Sequence, residues 1–315
     1  EQKNMNFLAI VIVSYLILAV VNLADKFILG NMIPNSRAYT FFVGVLGCAV
    51  VVLAPFFLVW CGWKILILNI LVGAFFPIAL TFMYRSLKIG DTSKMITLIG
   101  GTIPVFTVVM SIFILGEVFT KNQWLGILLL IVGTIIIAWL PNKKTLWHKI
   151  SIMFGMTDDN SKRGIIEAIL AAIFYALFFI GTKYLYSVQP FWSGFIWIRI
   201  GTLFAVLTFL INKIDRIAIF DSFKNLMSGK NKLLFFGNQG LAGVGFLLQN
   251  YAIALGSVAL VNAMQGVQYV FLIILGFIIT IFKPQAIKED ISKSIIIQKI
   301  IAIFLIGIGL FFVAK

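Results

Sequence analysis

In 315 residues the chain carries one histidine, two cysteines and eleven acidic side chains, and each shortage removes a class of activity. His148 stands alone in a polar stretch, so no histidine-based metal site can be assembled. Cys48 and Cys61 fall within or at the end of one apolar run and cannot build a disulfide framework; Cys48 reads as a small packing residue. No Gly-x-x-x-x-Gly-Lys-Ser/Thr loop is present, which removes the basis for an ATP-driven pump. Gly243-Val244-Gly245 and Gly307-Ile308-Gly309 look like fragments of a nucleotide fingerprint. Both lie inside apolar runs, where glycine serves close helix contact instead. With no catalytic constellation and no cofactor motif, the chain does not read as an enzyme. Charge itself is scarce, at 11% of residues, against about a quarter in an average soluble domain.

What fills the chain instead is apolar. Hydrophobic residues make up 61% and the mean hydropathy is +1.08, values that place it in a bilayer. A hydrocarbon core of ~30 Å takes roughly 20 apolar residues per helix. Ten stretches meet or approach that length: residues 7–29, 39–60, 65–84, 95–115, 124–140, 165–186, 191–211, 233–255, 258–282 and 295–313. The expected fold is an all-α membrane protein of ten transmembrane helices. Very short connections make the third and fourth stretches, and the eighth and ninth, antiparallel hairpins. The first stretch is too long for a signal peptide, carries Asp25-Lys26 near its end and lacks a small-residue cleavage site.

The chain is also written twice. Lys26, Gly47, Gly90 and Gly100 recur as Lys183, Gly201, Gly256 and Gly266, with ten positions separating the last two glycines in each copy. Five helices per copy is an odd number, so the second copy enters the membrane from the opposite side. Two inverted five-helix repeats follow: residues 1–140 and 164–315, joined by a polar linker at 141–163. In such folds the midplane seam between repeats holds the substrate, which implies transport. The linker intersperses Trp147, Ile150, Met153 and Phe154 among charges, and residues 212–232 do the same with Ile217, Ile219, Phe220 and Phe223. Both patterns suit short interfacial helices.

The net charge of +14 does not point to nucleic acid, because it is distributed by loop. Seventeen lysines and arginines, including Arg37, Arg85, Lys143, Lys213, Arg216 and Lys283, collect in alternate loops, against five on the other side. The positive-inside rule puts the rich set in the cytoplasm, both termini outside, and the chain in the cell membrane. Individual loop cations read as solvated anchors near acidic lipid.

Polar groups inside the spans are the candidate site, since each must find a partner there. Asn262, Gln265 and Gln268 are three apart and span about 120° of one helix face. Their first-copy counterparts are Ile96, Ile99 and Thr102, so this polarity is not part of the shared scaffold. Gln249 and Asn250 add to it from the preceding stretch. Such amides either line a pocket or hydrogen-bond between helices, the latter worth only ~0.6 kcal/mol on average. Lys183 and Arg199 are the cations of the second copy, and Arg199 lies where the first has Val45. Burying Arg199 alone costs at least ~2.5–3.5 kcal/mol, so Glu167 or a substrate anion is its expected partner. Lys26 beside Asp25 reads as an internal ion pair. Glu167 is the candidate for proton or ion coupling, although it lies close to a helix start.

One local pattern carries a family likeness. Gly90-Asp91-Thr92-Ser93, Gly100-Gly101-Thr102-Ile103-Pro104, Leu115-Gly116-Glu117, Gln123-Trp124-Leu125-Gly126 and Gly133 resemble the EamA half-repeat of the drug/metabolite transporter superfamily. The resemblance implies a ten-helix secondary transporter with a cavity lined by both halves, Pro104 and Glu117 serving the scaffold. The second copy departs from it, with Val270 in place of the proline and Lys283-Pro284-Gln285 near the expected Leu-Gly-Glu. The family pattern also implies cytoplasmic termini, the reverse of the loop charge. The leading expectation is a transporter of a small polar metabolite, anionic or zwitterionic, whose other partner is the lipid bilayer. A proton-coupled multidrug exporter, a lipid-linked sugar flippase and a membrane-embedded lipid enzyme are the alternatives. The exporter needs a central acid, and the enzyme needs clustered His, Cys or carboxylates.

Overall fold

Backbone N–H and C=O groups in hydrocarbon must be satisfied within the protein, which leaves an open chain only the helix. The computed structural model of the chain follows that rule: it is 92% helical, with no strand among the described residues. The description covers residues 2–33, 35–89, 92–138, 159–228, 232–282 and 293–314. The linker at 139–158 with His148, the Lys283-Pro284-Gln285 segment, Gly90 and the Lys26 side chain lie outside it.

In chain order the helices are α1 (Gln2–Asn31), α2 (Ser36–Gly47), α3 (Trp63–Ile89), α4 (Thr92–Leu115), α5 (Lys121–Ala138) and α6 (Asp159–Val188). They continue as α7 (Phe191–Leu207), α8 (Lys213–Ser228), α9 (Lys232–Leu255), α10 (Val258–Ala263), α11 (Gln265–Phe282) and α12 (Lys293–Ala314). A 3₁₀ segment, Cys48–Leu53, and a helical turn, Ala54–Phe57, prolong α2, so the second span runs from Ser36 to Phe57. Asn35 starts it by accepting the backbone N–H groups of Arg37 and Ala38 at 3.0 and 3.1 Å.

Among the described residues, seven spans are long and apolar enough to cross a bilayer. Helices α5 and α12 are apolar but shorter, and α9 falls outside the set because Asn238, Gln239, Gln249 and Asn250 dilute its hydropathy. The ninth expected stretch divides at Met264 into α10 and α11. Within residues 212–232, where a short helix is expected, one does form, α8, with one correction. Ile219 is buried with Asp215, Ser222 and Leu226 on its inner face, while Ile217, Phe220 and Phe223 face outward.

Helix α4 illustrates how the faces sort. Val105, Val109 and Phe113 recur every four residues and are exposed, as a lipid-facing stripe requires, while Ile103, Thr107, Val108 and Ser111 are buried. The buried hydroxyls of Thr107 and Ser111 donate to Ile103 and Val108 carbonyls in their own helix. Helix α3 packs on α6 and α7, α4 on α6, α1 on α9 and α11, and α5 on α12. The last pair meets backbone to backbone. A Cβ on Gly126 would stand 2.9 Å from the Gly309 carbonyl oxygen, and one on Gly309 would stand 3.1 Å from that of Gly126. Small residues there replace the hydrophobic drive that lipid cannot supply. Gly245 likewise packs on Ile17 and Leu18, whereas Gly243 and Gly307 face open space.

Candidate functional site

Helix α9 carries most of its polar side chains onto the first half. Asn238 Nδ2 donates to Asp25 Oδ1 at 2.6 Å, the Tyr39 hydroxyl donates to the same oxygen, and Gln239 Nε2 donates to the Tyr39 hydroxyl at 3.0 Å. Three turns on, Gln249 Nε2 reaches the Tyr15 hydroxyl at 3.4 Å, and that hydroxyl donates to the Val261 carbonyl at 2.7 Å. Asn250 accepts from the Tyr186 hydroxyl at 3.0 Å and donates to the Phe246 carbonyl at 2.8 Å. Tyr15 therefore ties α9 and α1 to α10, one residue before Asn262.

The helix break sits in the middle of the polar face read from the sequence. Met264 N–H still bonds to Leu260, but Val267 N–H turns to the Met264 carbonyl at 2.9 Å, three residues back, so the ladder tightens into a 3₁₀-type turn. Asn262 precedes the break and donates to Val258 within α10 at 3.0 Å. Gln265 and Gln268 follow it. Gln268 is 7% exposed and Gln265 half-buried, and neither amide is bonded within the described residues.

Arg199 enters from α7. It is 6% exposed, and its guanidinium lies 4.0 Å from the Phe246 ring centroid, with Phe195 and Phe76 at 5.3 and 5.9 Å. It forms no ion pair among the described residues. The expected Glu167 partnership is not made; Glu167 Oε2 is buried and has no hydrogen-bond donor. Three aromatic faces give the cation part of what a carboxylate would, each contact worth ~0.5–2 kcal/mol. Phe246 thus joins Arg199 to Asn250, whose Tyr186 partner is within electrostatic reach of the guanidinium.

Lys183 stands apart from this group. Its ammonium donates to the carbonyls of Ile253, Ala254 and Gly256 at 2.9, 3.2 and 2.6 Å, where α9 ends. All three of its donors are used, so none faces a ligand. Across the same corner Glu117 accepts from Ser257 Oγ at 2.6 Å and from Val258 N–H at 3.3 Å. Gly116, at φ 66°, makes the turn that carries Glu117 there from the end of α4. A cation on the C-terminus of α9 and an anion on the N-terminus of α10 each match a helix dipole.

The fold brings Arg199 and Asn250 together at Phe246 and Tyr186, bonds Gln249 to Tyr15, sets Asn262, Gln265 and Gln268 on either side of the break, and leaves Lys183 and Glu167 elsewhere. The tyrosines Tyr15 and Tyr186 went unread as site residues, because a hydroxyl in an apolar stretch looks like core. Asp25 is bonded to Tyr39 and Asn238 across helices, a pairing that spacing along α1 does not reveal.

Residues 7–139 match the model of the EamA-like transporter family, part of the drug/metabolite transporter superfamily. No curated protein matches the chain. A protein known from its crystal structure superposes with a TM-score of 0.63 over 99% of this chain and 97% of its own, at 13% identity, a likeness of fold alone.

Proposed function

With residues 7–139 belonging to the EamA-like transporter family, we propose that this membrane transporter moves a small polar metabolite, anionic or zwitterionic, by alternating access across the cell membrane. One observation carries the reading: a span broken at Met264, with unbonded amides of Gln265 and Gln268 beyond it. Discontinuous spans at a repeat seam are where such proteins bind substrate. Arg199, stacked on rings and unpaired by any carboxylate among the described residues, supplies charge for a carboxylate or phosphate group. Asn250, through its Tyr186 partner, helps to orient that group.

The packing supports two inverted five-helix halves, at 1–140 and 164–315. The contact of α3 with α6 has a counterpart in α9 with α1, that of α4 with α6 in α11 with α1, and α5 meets its own counterpart α12. Rocking one half on the other would open the seam to each side in turn. Glu167, with a buried oxygen lacking a donor, is the proposed proton-coupling group.

Thermal-shift screening of the purified protein against amino acids, nucleosides, sugars and amines finds the substrate class, and uptake into proteoliposomes tests it. Gln265→Leu and Gln268→Leu should fold and lower uptake, since a desolvated polar group left unpaired costs ~1–3 kcal/mol. Normal uptake by both variants would remove this face from the pathway.

A further inference from the structure

A polar cavity of about 210 Å³ opens where α2 begins, α3 ends and α8 crosses them. Every residue lining it is polar, and Arg37, Arg85 and Asp215 give it a net positive charge. Arg37 is held in place: Nη1 bonds to Asp215, and the Phe209 ring lies 5.8 Å from the guanidinium carbon. That pairing uses one of the five donors of the fork. Arg85 is exposed, lines the same cavity and makes no ion pair among the described residues. Tyr84 lines it too.

Depth decides what such a pocket meets. Arg37 and Arg85 flank the ends of the spans Ser36–Phe57 and Trp63–Leu87, so the cavity sits at the hydrocarbon boundary. The outer half of α8 mixes exposed Ile214, Ile217, Phe220 and Phe223 with Lys213, Arg216 and Lys224. That composition places a helix in the headgroup layer. The face also belongs to the cation-rich loops, which seek anionic lipid.

We propose that this cavity binds a phosphate-bearing anion, supplied by the headgroup of an anionic phospholipid. Arg85 and the free edge of Arg37 take the phosphate oxygens, and the acyl chains run along the apolar side of α8. The lipid thereby ties α8 to the α2–α3 corner. This site is separate from the substrate face and does not depend on the transport reading.

The test compares thermal midpoints in nanodiscs of phosphatidylcholine alone and of phosphatidylcholine with phosphatidylglycerol. Wild type should gain several degrees from phosphatidylglycerol. Arg85→Gln should lose most of that gain, and Arg216→Gln, outside the cavity, should keep it. Native mass spectrometry gives a count independent of folding: Arg85→Gln should retain one phosphatidylglycerol fewer than wild type. Equal gains and equal lipid counts in the two variants would reduce the effect to a diffuse basic surface and overturn the site. Inorganic phosphate in detergent reproducing the full shift would instead make it a free-anion site and overturn the lipid assignment.

Discussion

Replacing Lys183 with methionine keeps the length of the side chain and removes three hydrogen bonds at once. The carbonyls of Ile253, Ala254 and Gly256 would then lie at the end of α9 without their donor. Hydrogen bonds within bilayers average ~0.6 kcal/mol and reach ~1.7, so three together are worth roughly 2–5 kcal/mol. The lost cation at the helix C-terminus adds about 0.3–1 kcal/mol. Glu117, which faces the same corner through Ser257 and Val258, would also lose a neighbouring opposite charge. Lys183→Met should therefore lower stability by a few kcal/mol in reversible unfolding from bicelles, with Lys64→Met, in an exposed position, as the unchanged control. A Lys183→Met protein within ~0.5 kcal/mol of wild type, a difference typical of neutral surface sites, would refute the scaffold assignment. Loss of ligand affinity at unchanged stability would return Lys183 to the binding site.

Arg199→Gln should weaken an anionic ligand at least tenfold, about 1.4 kcal/mol, in folded protein; unchanged affinity by calorimetry would make the charge structural. Gly126→Ala should cost ~1–3 kcal/mol by forcing α5 from α12, read as a lower thermal midpoint, because the added methyl meets Val313 at 2.7 Å. Reporter fusions at Lys315 and within residues 143–163 should place the C-terminus outside and the linker in the cytoplasm, as the loop charge requires. A cytoplasmic reporter signal at Lys315 would show that the family orientation prevails.

Hydropathy and loop length made most helices legible, since a residue's cost in hydrocarbon depends little on its distant neighbours. The polarity of Asn262, Gln265 and Gln268 stands out in the sequence as a departure from Ile96, Ile99 and Thr102. The break at Met264 was not. Methionine is no helix breaker, and the turn depends on Tyr15 and Glu117 holding α10 from other helices. The role of Lys183 escaped for a similar reason: its acceptors end a helix far along the chain. Of the two partners expected for Arg199, Glu167 is not used, and spacing cannot show that three aromatic rings converge on the guanidinium instead. Ile219 shows the finer limit: α8 was foreseen, but which of its apolar residues face the protein depends on how it docks against Phe42 and Phe235.

Thiol labelling across the break tests the central claim most directly. In a Cys48→Ala, Cys61→Ala background reconstituted into vesicles, Gln265→Cys and Gln268→Cys are exposed to a water-soluble thiol reagent applied from each side in turn. Phe304→Cys, at an outward position of α12 where the side chain is 67% exposed, is the control. Alternating access through the seam predicts reaction at 265 and 268 from both sides, and little at 304. Unreactive cysteines at 265 and 268 from either side would place this face in a packed interface and contradict the account.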